Sequence, residues 1–345
     1  MDIHYKLKIA GFLFFHVCYF CNSSLGCSNP VYRYALERWE PAPITLLIFY
    51  KDSLNPAQKY LYDKIDKMFQ GTPFRVNIYI QSFNIKDSLP PGIDSVWMTN
   101  SGNSLPAMVV CSPGFSMHRN AIWNGHFNND NFNSLINSRV RQRIAGKILR
   151  GTSVVWLLIK GNDRKANRRA ADSLRIYLRE FQEKFADSLD IPELGPEFDK
   201  LRHIPSQLKF EIVQISYRDR KEGVFLKMLY RLGGMDLKLI KLPAVFPIYG
   251  RGRVYKGLER DKITGHEINK ICEFLTGPCY CSMRGAQTGK DFLAAVNWEG
   301  ALNGTVDADK AVGLEKSLFN RRLFVIFAVF GAIFILFIIL YFLFL

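Results

Sequence analysis

The sequence predicts an α/β protein made of two tandem copies of one supersecondary plan, followed by a single membrane-crossing helix. Three observations predict it. The word Leu-Pro-Ala occurs twice, at Leu105–Ala107 and Leu242–Ala244. Each copy runs into an apolar strand, a Gly-bearing turn, a second short strand and a helix, and each is preceded by a strand–helix–strand unit. The chain of 345 residues ends on Leu323–Leu345, which carries neither charge nor proline. At ~1.5 Å per helical residue that run is long enough for a ~30 Å hydrocarbon core.

The elements of the first copy follow in order. Pro30–Trp39 (PVYRYALERW) is an aromatic lead-in expected to pack on the first domain. Ile44–Tyr50 (ITLLIFY) is continuously apolar, as for a central strand buried on both faces. Pro56–Gln70 places Leu61, Ile65, Met68 and Phe69 on one helical stripe, stopped at Gly71. Arg75–Phe83 alternates Val76, Ile78 and Ile80 with polar neighbours, a strand signal. Lys86–Ser104 is rich in Pro, Gly, Asn and Ser and has the composition of a loop, where the plan would place its second helix. LPAMVVCSPG and NAIWNGHF are the paired strands, and a helix is expected around Phe132–Leu149.

The second copy opens with Ser153–Ile159 (SVVWLLI). The next helix lines up Ala170, Leu174, Tyr177, Leu178, Phe181 and Phe185 at 3–4 spacing. A Pro-rich loop (Asp190–Gln207), a strand (Phe210–Tyr217) and a short helix (Gly223–Leu232) lead to LPAVFPIYG and RVYKGL, then to a helix around Thr264–Leu275. Beyond it come Gly277-Pro278-Cys279-Tyr280-Cys281 and a polar stalk at Asn303–Asn320.

The N-terminus places Lys6 and Lys8 before the apolar run Ile9–Phe20, which suits a secretory leader and is too short for a comfortable span. Ser24-Leu25-Gly26 then sets small residues before Cys27, so the expected leader is 1–26, with Cys27 a loose match to a lipidation site. Export of the body to a periplasm or cell surface is the favoured topology. Lys316, Arg321 and Arg322 before the C-terminal run argue the other way, for a tail-anchored cytoplasmic protein. The partner expected from the tail is the lipid bilayer, through Leu323–Leu345.

The formal net charge is +15. Arg139–Arg179 holds twelve Lys or Arg against Asp163 and Asp172 alone. A solvated helix face explains such a run, and so does attraction to an anionic membrane surface. No recognition motif or interleaved aromatics accompany it, so nucleic acid is not an expected partner.

Chemistry is harder to place. Arg251 and Arg253 lie in a Gly-Arg-Gly-Arg hairpin turn and are expected at a binding groove, where they could meet an acidic partner. Cys279 and Cys281, with Cys272 upstream, suit a structural disulfide, a thiol redox pair or a soft-metal site. Gly285–Asp291 departs from a phosphate loop in length and lacks Ser or Thr after Lys290. The six histidines form no i, i+4 pair, and no Gly-x-Ser-x-Gly elbow exists. No catalytic residue, metal ligand set or cofactor is assigned.

The order β-α-β, Pro, β-β-α resembles a thioredoxin fold. That resemblance implies a thiolate at the helix N-terminus after the first strand of each copy. The loops there read Lys51-Asp52-Ser53-Leu54-Asn55-Pro56 and Lys160-Gly161-Asn162-Asp163-Arg164, with no cysteine. It also implies that Pro106 and Pro243, at least one of them cis, shape a groove for an extended peptide. Together PVYRYALERW, GTSVVWLLI, FPIYGRGRVY and GPCYC resemble an uncharacterised family of exported, membrane-anchored bacterial proteins. The resemblance implies tandem thioredoxin-like modules and a Cys-x-Cys matching Cys279 and Cys281, and supplies no activity.

The expected organisation is therefore a leader at 1–26, thioredoxin-like domains at 27–150 and 151–276, a Cys-x-Cys segment and stalk at 277–322, and a transmembrane helix at 323–345. The expected function is a non-catalytic binding or scaffold protein of the cell envelope, working on a protein partner in the membrane or envelope. The alternatives are thiol redox or soft-metal handling through Cys279 and Cys281, and an accessory subunit of an envelope complex.

Overall fold

The computed structural model describes residues 29–70, 76–102, 104–111, 121–186, 201, 203–205, 207–235, 241–279 and 288–312. In it, the chain forms a four-stranded and a six-stranded sheet. The first half runs α1 (Val31–Arg38), β1 (Ile44–Tyr50), α2 (Pro56–Gln70), β2 (Ile78–Asn84), α3 (Ile93–Asn100), β3 (Ala107–Cys111), β4 (Ala121–His126), α4 (Asn129–Ile136) and α5 (Arg139–Leu149). The second runs β5 (Val154–Lys160), α6 (Arg164–Ala186), β6 (Phe210–Ser216), α7 (Gly223–Leu232), β7 (Ala244–Tyr249), β8 (Arg253–Val254), β9 (Leu258–Glu259) and α8 (Gly265–Thr276). Then come β10 (Lys290–Asp291), α9 (Trp298–Leu302) and α10 (Ala308–Ala311).

The first sheet has the order β2-β1-β3-β4, and the second the order β10-β8-β7-β5-β6 with β9 also on β7. In both, the opening strand pairs parallel with the next and antiparallel with the strand after the Leu-Pro-Ala word. The apolar runs at β1 and β5 occupy the centre because each is covered on both faces. Leu105–Pro106 and Leu242–Pro243 are both cis. The strands expected after the repeated word are therefore present as corresponding elements of two like units.

Alternation along the strands divides the interior into layers. Leu47, Phe49 and Val109 face α3, while Leu46, Ile48 and Val110 face inward with Leu61 and Ile65 of α2, Phe132 of α4 and Ile144 of α5. Val155, Leu157 and Phe246 of the second sheet join that inner layer with Phe225 and Leu229 of α7. Val154, Trp156 and Leu158 face outward onto α6 and α8. The two units thus share one continuous core. The junction is also polar: Glu222 accepts from Ser138 Oγ at 2.5 Å and from the Val140 amide at 3.1 Å. Arg141, fully buried beside it, donates to the carbonyls of Leu293 and Leu135. Burial pulls the Arg141 guanidinium down to about 10, against the opposing pull of Glu222, so it stays charged at neutral pH.

Several expectations are corrected. Lys86–Ser104 contains helix α3, because Ile93 and Val96 bury against the outer face of β1 and β3 and override the loop-like composition. The helix expected around Phe132–Leu149 is two helices, broken at Asn137 and restarted by Ser138, whose hydroxyl caps the Arg141 amide at 3.0 Å. The lead-in helix α1 packs on the second unit, not the first: Val31, Tyr32, Ala35 and Trp39 bury among α8 and β7 residues. Its register is fixed by Val31 N–H to Gly277 O at 3.0 Å and Cys279 N–H to Asn29 O at 2.8 Å. Residues 303–312 of the expected stalk belong to the folded body, since α10 packs on α5 and Arg150 meets Asp309 at 2.7 Å.

Residues 290–296 cross from one unit to the other. β10 adds to β8, and the side chain of Asn77 then donates to Ala42 O and Phe292 O, both at 3.1 Å, and accepts from the Ala294 amide at 2.9 Å. The expected leader at 1–26 and the run Leu323–Leu345 lie outside the described residues. Among those described, no helix is long and apolar enough to cross a membrane.

Candidate functional site

In each unit the residue whose amide bonds the cis proline's carbonyl also stands beside the N-terminus of the first helix: Phe127 lines one cleft with Asn55, and Arg260 pairs with Asp163. In the first unit Asn55 caps α2: its Oδ1 accepts the Gln58 amide at 2.9 Å, and Gln58 Oε1 accepts the Asn55 amide at 3.0 Å. This reciprocal box satisfies two otherwise orphaned donors, and Pro56 at the first helical position needs none. Asp52 takes a left-handed conformation (φ 65°) and pairs with Lys86 across the loop. The carbonyl of Pro106 accepts from Phe127 N–H at 2.7 Å, drawing the end of β4 beside the proline.

A cleft of about 360 Å³ opens between α2 and the 126–129 turn. Leu61 and Phe127, both buried, belong to its wall. Tyr60, 68% exposed, stands at its mouth with Lys64 and His126. None of the residues that line it is acidic. Its chemistry suits an apolar side chain held among carboxamides, a phenol and a cation.

The second unit builds the same frame with an ion pair beside the proline. Asp163 caps α6 by accepting the Ala166 amide at 3.0 Å. Asn167 bonds both the N–H and the C=O of Gly161 at 2.9 Å. The carbonyl of Pro243 accepts from Arg260 N–H at 2.8 Å, matching Phe127 and Pro106. Where the first unit has a phenyl ring, the second has a guanidinium, and Arg260 reaches across to Asp163 at 2.7 Å. The Ala166 amide, and after it Arg260, hold the Asp163 carboxyl below its ordinary value.

The arginines expected at a groove are structural. Arg251 and Arg253 are buried, so neither meets an outside partner. Arg251 donates to Leu36 O at 2.8 Å and Glu37 O at 2.7 Å, the last carbonyls of α1, and to Glu299 at 2.7 Å. Arg253 holds both oxygens of Asp291 at 3.0 Å and lies over the Trp39 ring. The turn itself requires glycine: Gly250 and Gly252 have φ of 56° and 93°, and a Cβ on Gly250 would stand 2.8 Å from that of Ala35.

Cys272 is a buried free thiol, so a crosslink from it to Cys279 or Cys281 is not formed. Burial, with Glu273 beside it, pushes that thiol well above its ordinary range. Cys279 is buried where its amide ties to Asn29, and Cys281 lies outside the described residues. Among the described residues no cluster of His, Cys, Asp or Glu is arranged to hold a metal ion.

Tyr60, Lys64 and His126 escaped notice in the sequence because each looks like an ordinary surface residue. The legible signal was Asn55-x-x-Gln58 before an apolar helical stripe, a capping box that marks the site's edge.

The strand order, repeated, makes both halves α/β units, and two such sheets are consistent with tandem thioredoxin-like domains. No family model matches the chain, and no curated protein sequence matches it. Solved structures do. The full-length ERdj5 crystal structure is 11% identical, with 75% of this chain and 33% of that one covered, at a TM-score of 0.20. A second ERdj5 structure, form I, is also 11% identical, with 76% and 31% covered, at 0.20. The NTD_N/C domain of the alkylhydroperoxide reductase AhpF from Enterococcus faecalis is 12% identical, with 69% and 93% covered, at 0.20. The chain thus spans about a third of ERdj5. Scores this low carry no argument, and the assignment rests on topology.

Proposed function

We propose that this chain is a membrane-anchored binding protein whose two thioredoxin-like domains have lost thiol chemistry. The first domain presents an open cleft to a protein partner, and the second is a structural copy. One observation carries the reading: at the N-terminus of the helix after each central strand stands a capping side chain, Asn55 or Asp163, in place of a thiol. A thiolate there would draw on the same helix amides to lower its pKa. Without one, the frame retains only its capacity to hold a segment against the cleft.

Attachment through Leu323–Leu345 and export behind the leader at 1–26 are supported by the sequence of those two segments. A redox or metal role for Cys279 and Cys281 gains no support from Cys272, whose thiol is buried and un-ionised at neutral pH.

The test is a photo-crosslinking residue at position 60 of the full chain in intact cells. Position 98 serves as control, being equally exposed (Tyr60 68%, Met98 73%) on a helix covering the opposite face of the first sheet. A discrete adduct from position 60 alone is expected. Equal labelling from both positions, or none from 60, would overturn the reading.

A further inference from the structure

The structure sorts the basic run that the sequence left ambiguous. Of its twelve cations, Arg141 is buried in the core. Lys147, Arg150, Arg175 and Arg179 pair with Glu211, Asp309, Asp172 and Glu183. What remains most concentrated is the first two turns of α6, where Arg164, Lys165, Arg168 and Arg169 are all exposed. Among the described residues none of these four forms an ion pair, and the first turn of α6 holds no acidic residue. The capping Asp163 is already engaged by Arg260.

Helix stability does not account for this placement. Cations at a helix N-terminus oppose the positive end of the dipole. Two turns beyond Arg169, Ile176 is 44% exposed on the same side of the helix. A cationic stretch running into an exposed aliphatic side chain is the pattern of a helix lying on a charged interface.

Chain length brings such an interface within reach. The described body ends at Val312, and the uncharged run begins at Leu323. Whatever the path between them, it spans at most roughly 40 Å. It contributes Lys316, Arg321 and Arg322 to the same charge balance. With the C-terminal run in a bilayer, the body is held beside the headgroups.

We infer that Arg164, Lys165, Arg168 and Arg169 form a docking face for anionic phospholipid, which lays α6 against the membrane that anchors the chain. The inference rests on the membrane-anchored reading above. Each cation at a negative surface adds attraction worth roughly fivefold in partitioning, and salt screens it.

The test uses the full chain in nanodiscs of phosphatidylcholine alone, or of equal parts phosphatidylcholine and phosphatidylglycerol. Amine acylation at Lys165 is read against Lys59, on α2 of the first domain. Lys165 is expected to be protected several-fold in anionic discs only, with protection lost in high salt. The triple variant Arg164→Gln/Arg168→Gln/Arg169→Gln, which leaves Lys165 as reporter and the buried face of α6 intact, is expected to lose it. Equal acylation in both discs, or protection unchanged in the variant, overturns the inference. Failure of the chain to enter discs would instead strike the anchoring reading. Co-sedimentation with phosphatidylglycerol vesicles then reads the face directly: binding weakened at least roughly tenfold in the variant supports it, and no binding overturns it.

Discussion

Arg253 and Asp291 form a buried ion pair in which one guanidinium nitrogen lies 3.0 Å from each carboxylate oxygen. The pair joins β8 to β10, and Arg253 also lies over the ring of Trp39 near the start of the described chain. Two segments far apart in sequence are thereby fastened to one sheet. Asp291→Ala removes the carboxylate that balances the buried Arg253 charge and is expected to cost about 3–5 kcal/mol, read as a shift in denaturant midpoint. Arg253→Met/Asp291→Leu, which removes both charges, is expected to cost less than either single change. A double variant as unstable as the sum of the singles would show that the pair is not a coupled unit.

The shared inner layer makes a second expectation. Leu46 and Phe132 of one unit and Leu157 and Phe225 of the other belong to one apolar cluster, and Glu222 caps α5 across the junction. Calorimetry of the purified chain is expected to show one cooperative unfolding transition for the body. Two resolved transitions would mean that the units fold separately.

The tandem plan was legible because it is written in local pattern: the repeated Leu-Pro-Ala, continuous apolar runs at β1 and β5, and the 3–4 stripe of α6. What was not legible depends on contacts between distant residues. PVYRYALERW reads as an aromatic lead-in, but nothing in it says that Ala35 meets Gly250 and not the first sheet. Gly-Arg-Gly-Arg reads as a turn, and its arginines look available until Asp291, Glu299 and the end of α1 are seen around them. Lys86–Ser104 has loop composition, and only burial of Ile93 and Val96 makes it a helix. The open cleft was invisible for the same reason, since Tyr60 and His126 are 66 positions apart.

Acid should weaken the second unit through Glu211. Partial burial alone would raise its carboxyl, but hydrogen bonds from Lys147, Lys209 and Thr152 outweigh that and hold it at about 2, against an ordinary 4.5. The folded value lies below the unfolded one, so the carboxylate contributes stability that is present above about 4.5 and lost as pH falls toward about 2. The loss is of order 2–3 kcal/mol. Glu211→Gln is expected to flatten the stability profile across that window. An unchanged profile in the variant would assign acid sensitivity to other carboxylates.

Cys272 is buried and un-ionised at neutral pH, and the thiolate is the reactive form. Iodoacetamide is expected to leave Cys272 unmodified in the native protein and to label it after denaturation, as read by peptide mass. Rapid native labelling would contradict the packing of α8 against α1.

Asn55 and Gln58 stand at the spacing of a Cys-x-x-Cys pair, with Asn55 Oδ1 already accepting the amide that a thiolate would use. Insulin reduction with dithiothreitol as electron donor, catalysed by the wild-type chain or by Asn55→Cys/Gln58→Cys, therefore tests the account most directly. The wild type is expected to show no turnover, and the folded double variant to gain it. Turnover by the wild type would contradict the loss of thiol chemistry, and a folded but inert variant would contradict the thioredoxin-like placement of the site.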